Sequence, residues 1–171
     1  MLPLEEKINA IIEATPKESE FLERGFDKAY SKEILNDYTI KIFKEIDQTS
    51  DLLKQFRESV IYKGFSVFGF WFTEITDSEK FTQIGSLDTD LIVVLKKTAE
   101  VVLIEKYSEK IVGYLAKDFS TFLDLLPELI NYDKIGFLGE NYTIEIKESL
   151  KEKLSELNED KYYSFYKNRI N

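Results

Sequence analysis

Gln83–Leu126 reads QIGSLDTDLIVVLKKTAEVVLIEKYSEKIVGYLAKDFSTFLDLL and contains the two densest β-branched runs of the chain. These runs, Leu91–Leu95 and Val101–Ile104, favour extended backbone because Val and Ile are branched at Cβ. The charged and polar residues 96–100 between them break a helical stripe and suit a hairpin connection. The segment therefore predicts an antiparallel hairpin on which the rest of the chain packs.

A third strand and a helix are expected directly after this hairpin. Lys110–Leu115 is apolar and β-branched, but Gly113 in its middle places it near a sheet edge or a bulge. Asp118 is a suitable N-cap for Phe119–Leu126, whose apolar residues recur at helical spacing. We expect this helix to lie on the sheet.

The residues before the hairpin predict further strands. Val60–Ile75 holds six aromatic side chains, with Gly64 and Gly69 as breaks. Such a run can line a ligand pocket, but aromatic residues in strands more commonly form the core. Thr76–Gln83 is polar and predicts a turn that leads into the hairpin.

Helices are predicted near both ends of the chain. Apolar spacing predicts helices from Pro3 to about Ala14, over Lys17–Tyr30 with Gly25 as a weak point, and over Asp51–Ser59 with Thr49 or Ser50 as N-cap. Ser31–Gln48 fits a strand through Tyr38, Ile40 and Ile42, or a helix through Ile42, Phe43 and Ile46, and we favour the helix.

The C-terminal part is expected to cover the sheet. Pro127 should interrupt or restart the preceding helix, and Thr143–Leu157 predicts a last helix that caps the sheet. An aromatic tail follows, and we expect it to dock on the body rather than form an exposed patch for a partner. The tail contains Tyr162, Tyr163, Phe165 and Tyr166.

Composition excludes several classes of function. The 171 residues, 43% of them hydrophobic, can bury one core and predict a single domain over 1–171. The chain has no cysteine and no histidine, which excludes thiol chemistry and every catalytic arrangement or metal site that needs histidine. The N-terminus lacks the basic start of a signal peptide, and no apolar run approaches the length of a membrane span. We expect a soluble, unprocessed protein with no membrane contact.

The formal net charge is −9, from 32 acidic and 23 basic residues. An acidic surface repels phosphate backbones, so we expect no nucleic-acid partner. The same charge keeps a monomer soluble and can speed association with a basic protein.

Acidic residues flank the connection between the aromatic strands and the hairpin. They are Glu74, Asp77, Glu79, Asp88 and Asp90. A calcium loop would need a glycine and further oxygen ligands at fixed offsets, which are missing, and an acid–base pair cannot be recognised from spacing alone. We expect no catalytic residue, metal or cofactor. Hairpin-like folding should bring these acids to one end of the sheet, where they are either solvated turn residues or a partner-binding surface.

The order of elements resembles the SUKH superfamily, the domain of yeast cell-wall-synthesis regulators and of many bacterial immunity proteins. The resemblance covers roughly residues 50–126. It rests on DLLKQF at Asp51–Phe56, Gly64-Phe65, Ile84-Gly85, Asp90 before LIVVL, VVLIEKY at 101–107, and LAKDFSTFL at 115–123. The chain departs from the family pattern at Lys63, where asparagine is usual, at Thr89, where glycine is common, and in lacking a proline before Asp51.

The resemblance implies an α+β fold, in which a curved antiparallel β-sheet is covered by helices and no active site is shared. It leaves a helical N-terminal extension over 1–48 and a capping helix with the aromatic tail over 141–171. In bacteria such domains typically bind and neutralise a toxin, often a nuclease domain. The expectation is therefore a cytoplasmic immunity protein, monomeric or weakly dimeric, with a basic toxin as partner. A regulatory or scaffold interaction module and a carboxylate-based enzyme are the alternatives.

Overall fold

The structure is a computed structural model that describes residues 2–170, with the side chain of Lys63 excepted. Its helices are α1 Leu4–Ala14, α2 Glu18–Glu23, α3 Lys28–Asn36, α4 Leu52–Ser59, α5 Phe119–Phe137, α6 Ile144–Leu157 and α7 Asp160–Arg169. Its strands are β1 Thr39–Ile42, β2 Val60–Lys63, β3 Ser66–Val67, β4 Phe70–Asp77, β5 Phe81–Leu87, β6 Asp90–Leu95, β7 Val101–Ile104 and β8 Ile111–Ala116. The predicted α+β class is confirmed. Within this part of the chain, no helix has the length and apolar character needed to cross a bilayer.

The main sheet has six strands in the order β3-β4-β5-β6-β7-β8, and every neighbouring pair is antiparallel. The predicted hairpin is β6–β7, with Val93 opposite Val102. Strand β8 forms one edge of the sheet, as Gly113 predicted. The polar turn predicted over Thr76–Gln83 is too long, because β4 continues to Asp77 and β5 begins at Phe81. Burial of Thr82 and Ile84 stabilises these residues as a strand.

One face of the sheet carries the main core. Ile92 and Val94 of β6 point into it and join Phe122 and Leu123 of α5, all of them buried. Helix α1 packs on α5, where the buried Lys7 forms an ion pair with Asp124 and its Nζ lies 3.4 Å from the Ser120 carbonyl oxygen. Neighbouring residues of a strand point to opposite faces, so Val93 lies on the other face, in a second cluster with Val102 and Ile104.

The sheet is strongly curved. Lys80 lies in the β4–β5 turn and Glu109 in the β7–β8 turn, which extend beyond opposite ends of the paired strands. Their side chains nevertheless form an ion pair at 2.6 Å. In a flat sheet, these turns would be separated by the length of several strand residues. The predicted curvature is therefore confirmed.

The N-terminal predictions need two corrections. The helix expected over Lys17–Tyr30 is divided into α2 and α3, because Gly25 adopts φ +82° and the chain turns there. The helix favoured over Ser31–Gln48 ends at Asn36, and the strand alternative is right for β1, which pairs with β2. Buried Ile40 stabilises the extended conformation of β1.

Helix α4 confirms the prediction over Asp51–Ser59, but its N-cap is Asp51, whose carboxylate accepts the Lys54 N–H at 3.0 Å. The hydroxyls of Thr49 and Ser50 donate to Asp47 instead, at 2.6 and 2.8 Å. These hydrogen bonds lower the pKa of Asp47 to about 2.

The C-terminal part also differs from expectation. Helix α5 continues through Pro127 to Phe137, because Leu129 and Ile130 are fully buried and their packing outweighs the lost backbone hydrogen bond. Helix α6 packs on α5 and α7, and it is α7 that contacts β8. The aromatic tail is this last helix, so the expectation that it docks on the body is confirmed.

Candidate functional site

The structure separates the five predicted acids. Asp77 and Glu79 lie at the β4–β5 end of the sheet, whereas Asp88 and Asp90 lie at the β5–β6 end. Glu74 is exposed in the irregular part of β4 between Phe72 and Thr76. The expectation that all five share one end is wrong, because β5 is a full strand that separates the two turns. Their role in binding a partner stays a prediction.

Asp77 is already engaged within the fold. Its carboxylate accepts hydrogen bonds from the Thr82 hydroxyl at 2.6 Å and from Arg57 at 2.5 Å, and Lys96 lies at 3.6 Å. These contacts, with the Thr82 hydrogen bond the largest contribution, hold the pKa of Asp77 below its usual value. A carboxylate with two cationic neighbours has little free charge to offer a partner.

The face of the sheet opposite the main core carries the second apolar cluster. A row of directly paired residues crosses it from β4 to β8 through Trp71, Ser86, Leu91, Ile104 and Ile111. The two ends of the row are exposed, Trp71 at 48% and Ile111 at 40%. Exposed large apolar side chains on one face are typical of interaction surfaces.

Acidic residues border this row at the β5–β6 turn. Leu87 and Asp90 close the ladder one residue beyond the Ser86–Leu91 pair, and Asp88 occupies the turn with φ +53°. Asp tolerates this conformation better than most residues. The neighbouring β7–β8 turn carries both signs of charge, through Glu105 and Glu109 and through Lys106 and Lys110. The more uniformly negative border is therefore at Asp88 and Asp90.

The aromatic tail offers a partner little surface. Tyr162 and Tyr166 are buried, and the Tyr166 hydroxyl donates to the Leu115 carbonyl at 3.0 Å. Asn158 donates to the same carbonyl at 2.9 Å. These residues fix α7 to the last strand of the sheet and act in the fold.

Sequence reasoning missed a partly buried carboxylate on α5. Asp133 accepts the backbone N–H of Phe68 at 2.5 Å, and Phe68 has φ +55°, a strained conformation for a bulky side chain. Burial raises the pKa of Asp133 to about 6, although the Phe68 hydrogen bond acts in the opposite direction. Perturbed carboxylates in cavities are typical of functional sites.

Asp133 lines a cavity of about 400 Å³. The other lining residues come from the end of α3, from β3 and its turn, from α5 and from the loop before α6: Asp37, Tyr38, Ser66, Gly69, Gly136, Phe137 and Tyr142. The Tyr142 hydroxyl lies directly against Gly136, where any side chain would displace it. Tyr142 also packs against the Tyr132 ring, at a centroid distance of 4.5 Å.

The residues at Asp133 and on the sheet offer groups that can bind a ligand or a partner. Among residues 2–170, no group of three or more acidic side chains is arranged to hold a metal ion. Partly buried aromatic and carboxylate groups at Asp133, and exposed apolar and acidic groups on the sheet, provide recognition surfaces. No protein-family model, curated protein or solved structure matches this chain.

Proposed function

We propose that this chain is a cytoplasmic immunity protein of the SUKH type that binds a basic protein toxin and neutralises it by occlusion. The observation that carries the proposal is the row across the sheet from Trp71 to Ile111, whose two ends are exposed and which Asp88 and Asp90 border. A basic toxin domain would place apolar side chains on the row and cations beside these acids. Buried aromatic contacts supply affinity at such interfaces, and complementary charge supplies rate and specificity.

The charge of the whole chain supports the same partner. The excess of nine negative charges attracts a basic protein over a distance limited by salt, with a Debye length of about 8 Å at physiological ionic strength. The resemblance over residues 50–126 points to binding without chemistry. Inhibition by occlusion must be stoichiometric, because each bound copy blocks one toxin molecule.

The first experiment uses the product of the reading frame directly upstream, which the proposal predicts to contain the toxin domain. We expect its expression to stop growth of a bacterial host, and coexpression of this chain to restore growth through a complex of fixed stoichiometry. Size-exclusion chromatography with light scattering measures that stoichiometry. Failure to form a complex with that domain would contradict the proposal, as would inactivation of many toxin molecules by one copy.

A second experiment locates the interface. Trp71→Glu should weaken the complex by about a hundredfold or more, because a charge would replace an exposed aromatic anchor. Ile144 is also exposed, at 75%, but lies at the start of α6, so Ile144→Glu is the matched control and should leave affinity unchanged. Equal losses of affinity in the two variants would show that the interface does not lie on the sheet.

A third experiment tests the acidic residues at the two ends of β5 separately. Asp88→Lys should slow association and reduce its salt dependence, whereas Glu79→Lys, at the opposite end of β5, should change the rate less. Stopped-flow association at low and high salt measures both effects. A larger effect of Glu79→Lys would place the toxin at the β4–β5 turn.

A further inference from the structure

The cavity at Asp133 contains a partly buried carboxylate. Oδ2 of Asp133 accepts the Phe68 N–H, and none of the lysine and arginine side chains that the structure describes forms an ion pair with this carboxylate. Carboxylates withdrawn from water are usually paired with a cation or hydrogen-bonded on both oxygens. The cavity therefore suits a ligand that brings the missing positive charge.

The walls of the cavity suit an organic cation. Tyr38, Phe137 and Tyr142 line it beside Asp133. Aromatic faces attract cations through the ring quadrupole, and the tyrosine hydroxyls can accept hydrogen bonds. A volume of about 400 Å³ lies within the usual range of small-molecule sites.

The chemistry of the carboxylate distinguishes between kinds of cation. A guanidinium group binds best through a fork to both carboxylate oxygens, and the Phe68 N–H already occupies one of them. A hard metal ion prefers six or more oxygen ligands, whereas three of the lining residues are aromatic. An ammonium group is a compact charge that needs a single carboxylate oxygen and donates in three directions.

We propose that this cavity binds a primary alkylammonium group, whose N–H groups donate to Asp133 and whose alkyl chain lies against the aromatic walls. The proposal does not rest on toxin binding, since the cavity and the apolar row on the sheet are separate. The shared chemistry fits a free amine or a lysine side chain presented by another protein, and the experiment distinguishes them.

Other charged groups near the cavity do not neutralise Asp133. Asp37 lines the same cavity and adds negative charge, while burial raises the pKa values of Tyr38, Tyr132 and Tyr142 and keeps these side chains neutral. The Arg169 guanidinium lies over the Phe68 and Phe165 rings at 5.7 and 5.6 Å from their centroids, and its Nη2 lies 3.5 Å from where a Cβ of Gly69, a lining residue of the cavity, would stand.

The test is an NMR titration of the full isotope-labelled chain with butylammonium, N-acetyl-lysine methylamide and tetramethylammonium chlorides. Butylammonium should shift the amide resonances of Gly69 and Gly136 and lower the pH midpoint of the Asp133 carboxyl. Tetramethylammonium has no N–H donor and should bind more weakly. Binding of butylammonium alone identifies a free amine as the ligand, and binding of both amines admits a lysine side chain. Unchanged Gly69, Gly136 and Asp133 resonances at saturating amine would overturn the proposal.

Two variants with the same change of charge sharpen the result. Asp133→Asn keeps an oxygen acceptor for the Phe68 N–H and should weaken butylammonium binding by about ten- to a hundredfold. Asp88→Asn removes a charge from an exposed turn, where asparagine tolerates φ +53°, and should bind as the unmodified chain does. Equal binding by all three proteins would overturn the proposal.

Arg169→Gln tests whether the chain supplies its own cation. We expect the pH midpoint of Asp133 to be unchanged in this variant, because Arg169 stacks on aromatic rings. A clear rise in that midpoint would mean that Arg169 pairs with Asp133 in solution, and the cavity would need no ammonium ligand.

Discussion

Asp77 and Asp133 are carboxylates with opposite surroundings. Asp77 is exposed, accepts hydrogen bonds from Thr82 and Arg57, and has a lowered pKa. Asp133 is partly buried, accepts one backbone N–H, forms no ion pair with the cationic side chains that the structure describes, and has a pKa raised to about 6. The first was predicted as a binding residue and the second was missed. The comparison shows that a carboxylate beside a turn can have its oxygens occupied by hydrogen bonds within the fold. A carboxylate on a helix can keep an oxygen available to bind a ligand.

The largest effect on stability should come from a carboxylate introduced by substitution at a buried position, where it would have no partner. Val93→Asp places one in the second apolar cluster, where Val93 is fully buried. An unpaired buried charge should reduce the free energy of unfolding by about 4 kcal/mol or more. Urea denaturation followed by circular dichroism measures the change.

Val93→Ala is the control for lost volume, and it should cost clearly less than the charged variant. An unfolding midpoint for Val93→Asp equal to that of the unmodified chain would show that this face of the hairpin is accessible to water.

Asp133 should give an intermediate effect that depends on pH. Its pKa is higher in the folded chain, at about 6, than its ordinary value of 3.8, so the folded state binds the proton more tightly. As pH falls from about 6 to about 4, this group should therefore increase the free energy of unfolding by about 2 kcal/mol. Unfolding midpoints of the unmodified chain and of Asp133→Asn across this range measure the difference.

Carboxylates with lowered pKa values, such as Asp77 and Glu100, act in the opposite sense and at lower pH. They are present in both proteins and cancel in the comparison. A difference that does not change between pH 7 and pH 4 would mean that Asp133 is as well solvated as an exposed carboxylate.

Asp77 should give the smallest effect. Its partners Arg57 and Lys96 are 41% and 45% exposed, and surface ion pairs are screened by water and salt. Asp77→Asn should therefore reduce the free energy of unfolding at neutral pH by less than about 1 kcal/mol. The loss should shrink further at high salt, and also at low pH, where Asp77 of the unmodified chain becomes protonated. A larger loss that salt does not change would show that the Thr82 hydrogen bond is the main contribution.

Sequence patterns predicted the elements whose signal is local. The β-branched runs gave the β6–β7 hairpin, and Asp118 is the N-cap of α5, where its carboxylate accepts the Thr121 N–H at 2.7 Å. Both predictions depend on residues within one short stretch. The edge placement of β8 also follows from a local feature, Gly113.

The missed features depend on contacts between distant parts of the chain. Thr82 resembles a turn residue by composition, yet pairing with Val94 and Asp77 makes it part of β5. Pro127 is compatible with a continuous α5 because the helix residues before it and after it are buried in the core. The cavity at Asp133 combines residues from Asp37 to Tyr142, and no spacing within a single element predicts such an assembly.

The pairing of Lys7 with Asp124 has a consequence for the order in which this chain can mature on the ribosome. The first helix emerges early, but its ion-pair partner is 117 positions further along the chain. Until that partner is synthesised, the ammonium group of Lys7 must remain in water, because burial of an unpaired charge is costly. Helix α1 can therefore dock on α5 only after α5 has left the exit tunnel, so its final placement waits for a segment that is synthesised well after it.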